Sequence, residues 1–467
     1  MPRILMVTSE AAPFAKTGGL ADVLGSLPAA LARRGEEVAV VLPRYASAGP
    51  ATAERVSSAM PLWIGPHVFL VAIDQVILHG VRYLFVDCPP LYGRAGIYNE
   101  RGVDYPDNHI RFALLNQAAL GIARNIFRTD IFHLHDWPTG LLPPYLRFAD
   151  DPTLFGAKSV LTIHNLGYQG NFPPSVLGDL GIDGALYHAG GLEFYGRVSF
   201  LKAGIVWSDA ITTVSPSYAR EIQTPEHGFG LDGLLRARAS KLTGILNGVD
   251  YVEWNPETDP HLVAHYSASD LSGKRMSKLA LLQELGLPQV VNRPLICIIS
   301  RFAYQKGMDL VVGIADWLAG EDVALGVLGS GEPWFEDSFR SLASLRPDKF
   351  AVRIGYDEGL AHRIQAGADM LLVPSRYEPS GLTQMYGLRY GTVPIVRDTG
   401  GLADTVDEET GFKFRDYSTG AFIGAISAAL IAWKDREKWV ERVRRGMAKD
   451  HSWDSSAAKY QSLYKGL

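Results

Sequence analysis

Cysteine is nearly absent: Cys88 and Cys297 are the only two in 467 residues. Two thiols so far apart exclude a disulfide framework and a Cys-based zinc site, and both are expected to be buried thiols. Long apolar runs are missing as well. Nothing approaches the ~18 residues of a membrane span. The run Ile4–Val7 is too short for the core of a secretory leader, and Glu10 follows it closely. A cytoplasmic protein without a membrane partner is therefore expected. No block of one charge sign occurs. Lys and Arg number 45 against 50 Asp and Glu, a formal charge of −5, which leaves no basic footprint for nucleic acid and no polybasic surface for lipid. Several chemical signatures are also lacking. There is no G-x-S-x-G elbow and no GxxxxGK[ST] loop. The first strand-to-helix turn has no G-x-G-x-x-G, which argues against a nicotinamide dehydrogenase. No D-x-D or His/Cys cluster offers recognised metal spacing, so no metal site is expected.

What is present is an ordinary globular composition, 47% hydrophobic and 20% charged, long enough for two or three domains. The N-terminus reads as a strand at Ile4–Thr8, a helix at Leu20–Arg33 and a strand at Val38–Leu42. Leu20, Val23, Leu24, Leu27 and Leu31 share one face of that helix. Such a βαβ unit implies a parallel sheet covered by helices. Further strands are expected at Tyr83–Val86, Ile131–Leu134, Ser159–Ile163, Ile211–Val214 and Gly244–Leu246. The second half repeats the alternation, with strands at Leu295–Ile299, Ala324–Leu328, Ala351–Ile354, Met370–Val373 and Val393–Val396. Helices are expected at Met308–Leu318, Leu360–Ala366 and Thr419–Trp433. The class is α/β, with two Rossmann-like domains. Their joint is expected to be a pliable stretch from Asn247 to about Ser277. The last segment is amphipathic, with Trp453, Ala457, Tyr460 and Tyr464 at helical spacing.

Six polar loops follow strand ends, where open α/β sheets bind ligands. Lys16-Thr17-Gly18-Gly19 offers a cation, a Gly-Gly turn and a helix start, which together suit a phosphate. Alone, such a loop is more often only a turn. His133-Leu134-His135-Asp136-Trp137 and Thr162-Ile163-His164-Asn165 offer groups for sugar hydroxyls, with an aromatic face beside them. Asn247-Gly248-Val249-Asp250 reads equally as a simple turn. In Ser300–Gly307, Arg301 and Lys306 are placed to converge on one anion. In Arg376–Gln384, Glu378 precedes a helix start whose Gly381, Leu382 and Thr383 N–H groups suit an anion. A lone Glu there would more often be a cap. The sequence TGGLAD occurs twice, at 17–22 and 399–404. That is either coincidence of a favoured turn or one device used by both halves. Taken together, the loops suit a sugar diphosphate.

The ordered set KTGGLADV, HLHDW, TIHN, LNGVD, SRFAYQKG and EPSGLTQMYGLRYG resembles that of bacterial and plant glycogen and starch synthases, over nearly the whole chain. The resemblance implies the GT-B fold, with two Rossmann-like domains facing a central cleft. Residues 1–247 would form the acceptor-side catalytic domain and 248–450 the nucleotide-sugar domain. Residues 451–467 would form a helix that crosses back to the first. It implies retaining transfer of glucose from ADP-glucose to the non-reducing end of an α-1,4-glucan (glycogen or maltooligosaccharides), without metal or other cofactor. By position, Lys16, Gly18 and Gly19 would contact the donor. Arg301 and Lys306 would hold its diphosphate, Glu378 would touch the transferred glucose, and Tyr356 would meet the base. Asp136, His164, Asn165 and Asn247 would line the sugar and acceptor site, with Asp22 and Trp137 nearby.

Two departures stand out. Many bacterial relatives have Cys where this chain has Ser380. The second carboxylate of an E-x7-E pattern would fall on Tyr386, with Gln384 the nearest polar residue. Front-face departure of the diphosphate and double displacement through an enzyme carboxylate, Asp136 being the other candidate, both remain open. So do a pyridoxal-dependent glycan phosphorylase and a non-catalytic glucan-binding protein, although binding alone needs neither the cation pair nor Glu378.

Overall fold

A computed structural model describes residues 2–46 and 52–467. The chain forms two compact units. The first contains Met1–Val214, Ala219–Gly248 and Trp453–Leu467; the second contains Ser215–Tyr218 and Val249–Ser452.

The first unit is built on a nine-stranded sheet. Arg3–Val7 lies between Glu37–Pro43 and Ile131–His135, parallel to both. Ile4, Leu5, Met6 and Val7 are fully buried, because helices cover both faces of a parallel sheet; hence the unbroken apolar run. Lys158–Ile163, Ala210–Thr213 and Leu242–Gly244 extend the parallel part on one side. The helix Gly19–Arg33 buries Val23, Leu24, Leu27 and Leu31, as the spacing predicts.

The other side holds a hairpin that the periodicity does not announce. Glu54–Ile64 pairs antiparallel with His67–Leu78, which pairs antiparallel with Val81–Asp87. Its outer face is apolar too, with Trp63 opposite Val68 and Leu70 opposite Pro61, so no polar alternation marks the strands. The helix Asn108–Asn125 also escapes periodicity. It buries fourteen residues around most of its circumference, and a helix buried all round shows no stripe.

The tail helix Trp453–Lys465 belongs to this unit and buries Trp453, Ala457, Tyr460 and Tyr464. The Tyr464 hydroxyl lies 2.8 Å from His133 Nδ1.

The second unit carries a six-stranded, fully parallel sheet. Its order is Phe350–Ile354, Ala324–Gly329, Leu295–Ile299, Met370–Val373, Val393–Arg397, Phe412–Phe414. Ile296, Ile298, Met370, Ile395 and Phe422 are central to its core. The helix expected over Met308–Leu318 is two short ones, Met308–Gly313 and Ala315–Gly320, interrupted at Ile314. The chain passes from the first unit to the second at Gly248–Val249, at the start of the stretch expected to be the joint, and the rest of that stretch packs into the second unit. Trp254, Asp259 and Tyr266 are buried, and the helix Ser272–Leu285 begins inside it. Its polar residues face inward: Asp259 accepts from Tyr390 at 2.6 Å and lies 2.8 Å from His362 Nδ1. Composition alone cannot distinguish inward hydrogen bonding from solvation.

Candidate active site

In the first unit, the loop after Arg3–Val7 is organised by a residue the motif reading passed over. Glu10, buried, accepts from Thr17 N at 2.5 Å, Gly18 N at 3.2 Å, Thr17 Oγ1 at 2.7 Å and Tyr98 OH at 2.6 Å. The loop N–H groups do bind an anion, as the motif predicts, but that anion is the protein's own carboxylate. Gly18 is extended (φ −159°), and a Cβ there would meet open space, so its role does not rest on glycine's conformational freedom. Lys16 Nζ pairs with Asp22 Oδ1 at 2.7 Å, both side chains partly exposed. Such pairs contribute little, so Lys16 can turn to a ligand at small cost. The signal for Glu10 was an acid directly after a buried strand.

The strand Ile131–His135 ends at Asp136, which takes the left-handed φ of 58°, uncommon outside glycine. That turn brings its Oδ1 to His164 N at 2.7 Å and Asn165 N at 3.4 Å. Three predicted residues thus meet at one carboxylate. Burial pushes the Asp136 carboxyl up to about 7, against the two N–H donors that favour its ionised form. His164 Nε2 lies 2.9 Å from His135 Nδ1, and burial pushes the His164 ring down to about 3, so it is neutral at physiological pH. His135 was read as a polar group at the strand end. It is fully buried, and its Nε2 has no hydrogen-bond partner among the described residues.

Trp137 packs edge-on against Phe112 (centroids 4.9 Å apart) and near Phe172 and Phe200. Gly170 (φ +59°) leaves it room: a Cβ there would fall 2.3 Å from the indole. Asn165 Oδ1 accepts from Gly167 N at 3.0 Å, a local turn. Asn247 is buried with its Oδ1 unpartnered among the described residues. Gly248 is fixed by the tail helix, since a Cβ would lie 2.5 Å from the Trp453 backbone.

In the second unit, Glu378 is buried and accepts from Lys306 Nζ at 2.5 Å and Ser375 Oγ at 2.9 Å. Arg301 instead reaches Gln305 Oε1 at 3.3 Å and has no ion pair among the described residues. The two cations expected to share one anion therefore have separate partners here, Lys306 because a carboxylate stands beside it. Gly307 (φ +74°) lets the Lys306 loop pass Pro374, whose carbonyl a Cβ would meet at 2.1 Å.

Gln384 is fully buried and donates to Ser380 O, Gly381 O and Thr405 Oγ1, at 3.1, 2.9 and 3.1 Å. It fixes the turn carrying Gly381 (φ +66°), Leu382 and Thr383. The second TGGLAD supports the same turn from beneath: Gly401 N donates to Glu378 O at 3.0 Å, and a Cβ on Gly401 would lie 2.0 Å from Ser380 O. The two TGGLAD copies thus both start helices but hold different things, a side-chain carboxylate in one and a backbone turn in the other. Tyr386, at the missing second carboxylate, stacks on Trp254 (3.9 Å, 4°). Tyr356 is 77% exposed, and its hydroxyl donates to Glu358.

Comparison with known proteins decides what family these loops belong to. Residues 3–237 match the family described as starch synthase catalytic domain, and residues 286–446 match glycosyl transferases group 1. Glycogen synthase of Anaeromyxobacter dehalogenans (strain 2CP-C) is 49% identical, over 100% of this chain and 99% of that protein. The chain belongs to the glycogen and starch synthase family. It is a glycosyltransferase with the two parallel-sheet units of the GT-B fold. The glycogen synthase of Koribacter versatilis is 47% identical over 99% of this chain and 97% of that protein. Among solved structures, the catalytic domain of starch synthase IV from Arabidopsis thaliana, bound to ADP and acarbose, superposes with a TM-score of 0.92 at 34% identity, covering 100% and 99% of the two chains. Among the described residues of the enzyme, no helix is long and apolar enough to cross a membrane.

Proposed function

We propose that the enzyme elongates an α-1,4-glucan by retaining transfer of glucose from ADP-glucose, in the cytoplasm and without a catalytic metal. The observation that carries this reading is the buried Glu378 held against Lys306 at 2.5 Å. A carboxylate in contact with a cation is suited to a reaction in which positive charge grows on a sugar ring while negative charge grows on a departing diphosphate. Fixed charges facing those centres need no rearrangement as the bond breaks. Arg301 and Lys306 take the diphosphate, helped by the N–H groups of Gly381, Leu382 and Thr383. Glu378 faces the transferred glucose. Tyr356, exposed on the loop after Phe350–Ile354, takes the adenine. Lys16, once released from Asp22, adds to the donor site with Gly18 and Gly19. Asp136, Trp137, His164, Asn165 and Asn247 bind the glucose and the acceptor chain. The neutral His164 ring donates or accepts a single hydrogen bond to a sugar hydroxyl. The starch synthase IV structure is bound to ADP and acarbose, which supports an adenine nucleotide and a glucan-like acceptor here.

The deciding assay offers glycogen with radiolabelled ADP-glucose or UDP-glucose separately and counts labelled polymer. ADP-glucose should give the higher kcat/KM, and the new linkage should be α by susceptibility to α-amylase. An equal or higher kcat/KM with UDP-glucose would overturn the donor assignment.

A further inference from the structure

Away from Lys306 and Glu378, the second unit holds a group of side chains to which the proposed transfer assigns no direct role, although one of them, Glu358, accepts from the Tyr356 hydroxyl. The carboxylates of Glu253 and Glu358 and a ring nitrogen of His362 lie within 4.8 Å of one another. Glu358 and His362 are four apart on the helix Glu358–Gly367, which puts them on one face, one turn apart. Glu253 comes from the segment before the helix Ser272–Leu285, so the group joins two distant stretches of chain.

We propose that Glu253, Glu358 and His362 form a binding site for a divalent ion of the zinc class.

The support around the histidine is what separates this group from a chance cluster of surface acids. His362 is almost fully buried, and its Nδ1 lies 2.8 Å from Asp259 Oδ2. Asp259 also accepts from Tyr390 OH at 2.6 Å and His261 N at 2.8 Å. With the Asp259 carboxylate against Nδ1, Nε2 is the nitrogen the proposal assigns to the ion. Carboxylate–histidine support of this kind orients imidazoles at metal centres. Trp254 stacks on the ring at 3.7 Å and 14°, which removes its remaining freedom. One imidazole and two carboxylates suit zinc, with water completing four ligands. Bonds of about 2.0–2.2 Å place ligand atoms roughly 3.3–3.6 Å apart in a tetrahedron. Rotation of the exposed Glu253 and half-buried Glu358 side chains would bring their oxygens to that spacing. Binding takes Glu358 from the Tyr356 hydroxyl and ties the two stretches of chain together.

The test uses the whole enzyme, stripped with chelator. Calorimetry with Zn²⁺ should give one strong site. Co²⁺ should give the visible absorption of a four-coordinate ion, and Zn²⁺ should raise the thermal midpoint. Glu253→Gln and Glu358→Gln, both on the surface side of the site, should each weaken Zn²⁺ by at least ~10–100-fold, the loss seen for supporting residues alone. Each should abolish the Co²⁺ band and keep the metal-free midpoint. Absence of a strong Zn²⁺ site in the parent enzyme would overturn the proposal. So would Zn²⁺ binding that both variants retain. The transfer reaction is scored separately, by polymer labelling in chelator, because Glu358 also holds the Tyr356 hydroxyl.

Discussion

Replacing Glu378 by Gln should separate catalysis from donor binding, with opposite signs. The Glu378 side chain is 7% exposed and that of Lys306 21%, with 2.5 Å between their charged atoms. Removing one member of a buried pair costs about 3–5 kcal/mol, because a bare charge is left behind. Lys306 keeps some contact with water, so the low end applies. The amide still accepts from Ser375, and the fold should persist. The charge balance near the donor changes more than the shape. In the parent, Lys306 and Glu378 cancel, leaving Arg301 as the net cation. In Glu378→Gln, Lys306 is no longer neutralised. A further positive charge several ångströms from a diphosphate is worth a few kcal/mol at an effective dielectric near 20, reduced by salt and by ADP's own hydration. ADP should therefore bind as tightly as to the parent, or up to about 10-fold tighter. Meanwhile kcat should fall about 10²–10³-fold, the usual effect of losing one preorganised group that faces developing charge. Calorimetry with ADP and labelled-glucose incorporation into glycogen measure the two quantities on one preparation. If ADP affinity drops in step with kcat, Glu378 is a donor-binding group and the charge argument fails.

Three further outcomes are expected. Arg301→Ala and Lys306→Ala should each weaken ADP and lower kcat by about 10²–10³, and activity should survive EDTA. The double variant should lose less than the product, because both serve one diphosphate; full multiplicativity would mean independent sites. For Asp136, whose carboxyl is pushed up to about 7, activity that needs the anion should rise with pH through about 7, and Asp136→Asn should flatten that rise. The same shift makes the folded enzyme hold a proton that the unfolded chain releases near pH 4. Stability is thus lost as pH climbs from about 4 to 7, and Asp136→Asn should melt higher than the parent at pH 8 but not at pH 4; a midpoint difference independent of pH would remove the basis for the shift. Gly248→Ala should push against Trp453 and loosen the tail helix, seen as faster protease cleavage within 453–467 at unchanged secondary structure.

The sheet cores were legible because a parallel strand covered on both faces must be apolar throughout. Ile4–Val7, Leu295–Ile299 and Met370–Val373 announce themselves that way. The outer hairpin, with Trp63 and Leu70 exposed, hides its period because both of its faces carry apolar residues. The candidate site residues were picked from loops after those strands, by position and by resemblance. What position cannot give is who neutralises whom. Glu10 under the Thr17–Gly18 amides, seven and eight residues along, and Glu378 on Lys306, 72 residues away, are pairings that no motif spells out, and each changes the charge a ligand would meet. The inward packing of the segment after Asn247 went unread for the same reason. Asp259 looks like a solvated loop acid until His362 and Tyr390, more than a hundred residues on, are brought beside it.

The first unit recruits its last helix from the far end of the chain, so it cannot be completed in the order in which it is synthesised. After Gly248 emerges, about 200 residues of the second unit must be translated before Trp453 appears. At roughly 5–20 residues per second that is a wait of about 10–40 s. Throughout that interval His133 lacks its Tyr464 partner, and the seat of Tyr460 and Tyr464 lies bare. Nascent first units are thus sticky by construction. Deleting the helix Trp453–Lys465 should give aggregates, rather than a slightly weaker enzyme.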